Sequence, residues 1–66
     1  MRLQVNGQDQ ELISSGTAGD LLTELAITRE RVAVVVNEQV IRRAQLDTTQ
    51  LNEGDTVEII TMVGGG

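Results

Sequence analysis

Cysteine, histidine, phenylalanine, tyrosine and tryptophan are all missing from this chain. Each absence excludes a class of function. Without cysteine there is no disulfide and no thiolate metal site, and no redox compartment can be read from the sequence. Without histidine the chain lacks the usual general base at neutral pH and the commonest metal ligand. Without aromatic rings it has no platform on which bases or sugars could stack. Positive charge is also scarce, five basic residues standing against ten acidic ones for a net charge of −5. A domain of that sign repels phosphate backbones, which argues against nucleic-acid binding. No apolar run approaches the roughly 18 residues of a membrane span. Met1-Arg2-Leu3 does not open a signal peptide, so a soluble cytoplasmic protein is expected.

What remains is a globular composition with dispersed charge in a chain of 66 residues, enough for one small domain that buries about 60% of its unfolded surface. Leu3 and Val5 alternate with Arg2 and Gln4, the period of a half-buried strand. Asn6-Gly7 is a two-residue hairpin signal, because a type I′ turn needs residues that tolerate positive φ. That turn sets Val5 opposite Gln8, Leu3 opposite Gln10 and Met1 opposite Leu12, with a second strand over Gln8–Ile13. Ile13 then falls on the face away from the core. Thr17 with Asp20 has the form of a capping box. Ala18, Leu21, Leu22, Leu25 and Ala26 follow at helical spacing, predicting an amphipathic helix of about ten residues. Gly19 in its first turn weakens it, so the helix needs packing against a sheet. Val32–Val36 is a β-branched run that predicts a strand covered on both faces or nearly so. A turn at Asn37-Glu38-Gln39, a short strand at Val40-Ile41 and a polar crossing segment over Arg42–Gln50 come next. Gly54 supplies the backbone angle of a turn before a last strand over Thr56–Val63. Val57, Ile59, Thr61 and Val63 of that strand share one face, Glu58, Ile60 and Met62 the other.

The order is therefore ββαβββ with one helix, which can cover only one face of the sheet. The chain then runs Val63-Gly64-Gly65-Gly66. A tail without side chains offers a single reactive group, its terminal carboxylate, ionised at neutral pH as α-carboxyls are. Glycines pass through narrow channels because no Cβ meets the walls and unusual backbone angles are open to them. Four residues from Val63 extend at most about 13–14 Å, enough to reach from a docking surface to a buried site. Fixing such a tail costs on the order of 1–2 kcal/mol per residue, which an apolar docking patch must offset. Ile60, Met62 and the adjoining Val63 are the candidate patch, methionine suiting a surface that meets several partners.

A small hairpin first, one helix, and Gly-Gly at the extreme end together resemble the ubiquitin-like β-grasp fold: an α+β domain, a mixed sheet of four to five strands with one main helix packed on one face. Within it the chain resembles the ThiS-like sulfur carriers of thiamine thiazole synthesis. The residues that carry the resemblance are Leu3–Gly7, Thr17 with Asp20-Leu21-Leu22, Val34–Ile41, Glu53–Ile59 and Val63–Gly66. It implies a β-grasp domain over residues 1–63 and a flexible tail over 64–66. It implies a protein co-substrate, not an enzyme: Gly66 is adenylated and converted to a thiocarboxylate, with Gly64 and Gly65 threading the partner's active site. The implied partners are an E1-like (ThiF-like) adenylating enzyme using MgATP, a cysteine desulfurase as sulfur source and a ThiG-like thiazole synthase that accepts the sulfur. No cofactor or metal is expected on the chain itself. Related carriers serve molybdopterin synthesis and tRNA thiolation, and ubiquitin-like modifiers conjugate to lysines; the glycines are common to all of these.

Three other features have plainer readings. Arg42-Arg43 could steer an acidic partner or be a solvated charge pair. Glu53-Gly54-Asp55 lacks the oxygen-ligand spacing of a calcium loop and reads as turn chemistry. Asp9 and Glu11 share a strand face, but no neighbouring residue type tunes them for acid–base work.

Overall fold

In the computed structural model, which describes residues 1–13 and 16–62, five strands form one mixed sheet in the order β2-β1-β5-β3-β4. The strands are β1 (Arg2–Val5), β2 (Gln8–Glu11), β3 (Val32–Val36), β4 (Gln39–Ile41) and β5 (Thr56–Thr61). The single helix, α1, spans Ala18–Glu24. Short 3₁₀ turns lie at Arg29–Arg31 and Arg43–Gln45. Only β1 and β5 run parallel; the other pairs are antiparallel. This is the β-grasp arrangement expected from the element order.

The first hairpin has the expected register. Val5 faces Gln8 and Leu3 faces Gln10, and the Leu12 N–H donates to the Met1 carbonyl at 2.8 Å. Asn6 and Gly7 have φ of +53° and +82°, the two positive values a type I′ turn demands. The ladder ends at Glu11 rather than Ile13, and Ile13 is 92% exposed. Its N–H donates to the Glu24 carboxylate at 2.9 Å, so the chain has left the sheet for the end of α1. Ser14 and Ser15, expected to interrupt the strand, lie outside the described residues.

Helix α1 starts as the sequence predicts. The Thr17 hydroxyl accepts from the Asp20 N–H at 3.1 Å, and the Asp20 carboxylate accepts from the Thr17 N–H at 3.2 Å. The helix is shorter than the ten residues expected, seven in all. Ala26 is the reason: it sits at φ +59°, past the end of the helix. The Ala26 and Ile27 N–H groups donate back to the Thr23 and Leu22 carbonyls at 3.1 and 2.8 Å. That pair of bonds is a Schellman closure, which needs a left-handed residue at this position. Ala26 is therefore exposed and does not belong to the apolar stripe.

Ala18, Leu21 and Leu22 of the helix pack on Leu3, Val5, Val34, Val36, Val57 and Ile59 of the sheet. The crossing segment, expected to be polar, delivers Leu46 to this core, and Leu51 just after it is buried there too. It satisfies the helix start as well. The Ala18 and Gly19 N–H groups, which have no partner inside a helix, donate to the Thr49 and Leu46 carbonyls at 2.9 and 2.8 Å. This close crossing explains Gly19: a Cβ there would overlap Asp47, which is paired with Arg29 at 3.0 Å. Among the described residues no element covers the other face of the sheet. The expectation that β3 is covered on both faces is thus wrong for Ala33 and Val35, which remain partly exposed while Val34 and Val36 are buried. One helix reaches one face only, and a β-branched run does not say which residues face it.

Candidate functional site

Strand β5 is the middle strand of the sheet, and it leads to the tail. Val57 and Ile59 point into the core. Glu58 and Ile60 point to the uncovered face, and Met62 follows with its N–H donating to the Arg31 carbonyl at 2.8 Å. Ile60 and Met62 are 51% and 49% exposed. Of the site residues expected from the sequence, these two are described; Val63, Gly64, Gly65 and Gly66 lie outside the described residues. The expected continuation of the last strand to Val63 lies there too.

Cross-strand register shows what joins the patch. Ile60 opposes Ala33 and Glu58 opposes Val35, which in turn opposes Val40. Directly opposed side chains stand about 4.5–5.5 Å apart at Cβ. Val40, Val35, Ala33, Ile60 and Met62 thus form an apolar band across β4, β3 and β5, with Val40 72% exposed at its outer end. Glu58 lies within the band, and Glu38 stands at the β3–β4 turn beside it. Glu38 and Asn37 form that turn with φ of +73° and +49°. Asn37 locks it to the start of β5: its Nδ2 donates to Asp55 Oδ1 and its Oδ1 accepts from the Thr56 N–H, both at 3.0 Å.

The same face is polar on β1 and β2. Arg2 opposes Glu11 and Gln4 opposes Asp9, and both pairs interact, Arg2 Nε with Glu11 Oε1 at 3.5 Å and Gln4 Nε2 with Asp9 Oδ1. The Met1 ammonium, then Arg2, holds the Glu11 carboxyl below its ordinary value. The uncovered face is therefore divided into an apolar half that leads into the tail and a charged half away from it.

The remaining titratable groups do structural work. The Gly16 and Thr17 N–H groups lower the Asp20 carboxyl, and Asp47 raises the Arg29 guanidinium. Asp55 Oδ2 accepts from the Asn52 N–H at 2.8 Å, and Glu53 Oε2 accepts from the Arg2 N–H at 3.1 Å, so Glu53-Gly54-Asp55 is a turn as expected. Among the described residues no group of acidic side chains is placed to hold a metal. Arg42 and Arg43 are exposed at the start of the crossing segment. The sequence reading missed Val40, Val35 and Ala33. Their apolar type was visible, but membership of the band depends on which strands pair.

The chain matches the ThiS family over residues 3–66. It is 34% identical over 65 residues to the sulfur carrier protein ThiS of Bacillus subtilis, covering 97% of this chain and 98% of that protein. It is 33% identical over 66 residues to a thiazole synthase of Paramagnetospirillum magneticum. There the whole of this chain spans only 20% of the longer protein. Its fold superposes on the crystal structure of the thiamine biosynthesis protein ThiS of Geobacter metallireducens with a TM-score of 0.83, 33% identity and full coverage of both chains. No helix of the described residues is long and apolar enough to cross a membrane. This 66-residue β-grasp chain is a member of the ThiS family.

Proposed function

We propose that the chain is a sulfur carrier whose Gly66 carboxylate is the working group. A ThiF-like adenylating enzyme using MgATP joins that carboxylate to AMP with release of pyrophosphate. The reason is chemical: oxide is a very poor leaving group, whereas AMP leaves readily from a mixed anhydride. The outer sulfur of a cysteine desulfurase persulfide then displaces AMP to give an acyl disulfide, and a second cysteine thiol on the partner enzymes cleaves its S–S bond, releasing Gly66 as a thiocarboxylate and leaving a disulfide on the partners. A ThiG-like thiazole synthase takes the sulfur into the thiazole ring of thiamine. The chain is a co-substrate throughout; catalysis belongs to its partners. Gly64 and Gly65 occupy the passage to the partner's active site, and Ile60 and Met62, with Val63, supply part of the docking patch.

The observation that carries this reading is the family match, which runs through the glycine end and covers 97% of this chain and 98% of the Bacillus subtilis carrier. The thiazole synthases of which this chain matches one fifth favour thiazole formation over molybdopterin synthesis or tRNA thiolation. Intact-mass analysis after incubation with the adenylating enzyme, MgATP and the desulfurase tests it. The expected product has one terminal oxygen replaced by sulfur, and a variant with alanine added after Gly66 stays unmodified. A wild-type mass that never changes, or Gly66 appearing in isopeptide bonds to lysines instead, refutes the proposal.

A further inference from the structure

Strand β5 outlasts its neighbour. β1 pairs with it only at Gln4↔Thr56 and Val5↔Val57, because the chain reverses at Asn6-Gly7. On the other side β3 pairs with β5 as far as Val32↔Thr61. The direction of the backbone groups follows from the ladder. The Asn37 N–H donates to the Thr56 carbonyl at one end and the Met62 N–H to the Arg31 carbonyl at the other. Antiparallel pairs alternate between bonded and non-bonded, so even-numbered β5 residues bond toward β3 and odd-numbered ones bond toward β1. The Val57 carbonyl accordingly accepts from the Asn6 N–H at 2.9 Å. The Ile59 N–H has no strand left to meet, and the Asn6 side-chain oxygen accepts it instead, at 2.8 Å. Beyond that cap, the Ile59 carbonyl and both backbone groups of Thr61 face the position that β1 has vacated, with no partner among the described residues.

We propose that this short open edge, the Ile59 carbonyl and the Thr61 N–H and carbonyl, is a strand-addition site for an extended segment of the adenylating enzyme. The proposal rests on the carrier reading above. Three observations support this occupant. The edge is covalently continuous with the tail: four residues follow Met62, the last of them Gly66. A glycine tail has no side chains, so a partner can hold it only by its backbone, and an added strand at Thr61 begins that backbone grip before the glycines. The edge also adjoins Ile60 and Met62, half-exposed on the same strand, so one partner segment meets main chain and apolar side chains together, as in strand addition generally. No proline or lysine stands on Glu58–Met62 to block an incoming strand.

The test uses the full chain, made by chemical synthesis, in four forms: wild type, Thr61→Pro, Thr61→Val, and wild type with the Ile60–Thr61 amide replaced by an ester. The proline and the ester remove the Thr61 N–H, and valine keeps it. Because that N–H bonds to nothing within the described fold, valine should leave the thermal midpoint unchanged, while the ester should lower it slightly because its carbonyl, that of Ile60, accepts more weakly from β3. Binding to the adenylating enzyme is measured by calorimetry, and exchange of the Thr61 amide by NMR with and without the enzyme. Loss of one hydrogen bond should weaken the ester about two- to tenfold and the bulkier proline more, with valine unchanged. The wild-type Thr61 amide should exchange more slowly in the complex. Equal affinity for all four, unchanged exchange on binding, or an effect confined to self-association of the carrier overturns the proposal. Should the proline variant unfold, the ester alone decides. A wild type that is thiocarboxylated while the ester form binds as well as it does removes this inference and leaves the carrier reading standing.

Discussion

Two single residues at the ends of helix α1 carry testable consequences. Ala26 holds a left-handed angle of φ +59° where glycine is the usual occupant. The left-handed region costs an L-residue roughly 1–2 kcal/mol, and glycine's larger unfolded entropy returns part of that. Ala26→Gly should therefore stabilise the fold by about 0.5–1 kcal/mol, read as a higher urea midpoint with an unchanged slope. Asp20 concerns pH. The Gly16 and Thr17 amides lower its folded pKa, so its contribution is present above the unfolded aspartate value. It is lost as pH falls through the lower folded value. Stability should decline on acidification through and below the ordinary carboxylate range. Asp20→Asn should flatten that acid limb, as denaturant midpoints taken across the range would show.

At the scale of elements, β5 combines three tasks. Val57 and Ile59 close the core, Ile60 and Met62 face outward, and its end leads to the tail. The face it shares with β3 and β4 is apolar, and the face of β1 and β2 is charged. This division gives a discriminating pair of variants. Ile60→Glu leaves the core untouched, because Ile60 is 51% exposed, and should raise the KM of the carrier for its adenylating enzyme about tenfold, the cost of losing an interface anchor. Gln4→Glu, on the charged half, should change that KM by less than about twofold, as ordinary surface changes do. Steady-state pyrophosphate release at varied carrier concentration measures both. Equal effects from the two would show that the apolar half is not where the enzyme docks. The elements themselves were largely visible in the sequence. Asn6-Gly7, Thr17 with Asp20, and Gly54 are turn and cap residues whose preferences act within a few positions. Where the reading failed, the cause was not local. Helix α1 stops early because Ala26 accepts a strained angle, and Leu46 is buried because the crossing segment lies against the helix start.

For the whole molecule, composition already fixed the terms of its chemistry. A chain with no histidine, cysteine or aromatic ring and a net charge of −5 lacks the commonest neutral-pH base, thiolate chemistry and a stacking surface. The order of hairpin, helix and strands, with glycines last, determined the fold class and the family, since hydrophobic period and turn chemistry are written residue by residue. The sheet order was decided only in three dimensions. Placing β5 between β1 and β3 brings Ala33 opposite Ile60 and sets Val35 and Val40 on the same face, because register joins residues that are distant in sequence. Ending β1 two residue pairs into β5 exposes the backbone edge at Thr61, a consequence of where one hairpin turns relative to a strand some fifty positions later. No local pattern encodes that difference in length, which is why the glycine end could be read from the sequence and the surface that presents it could not.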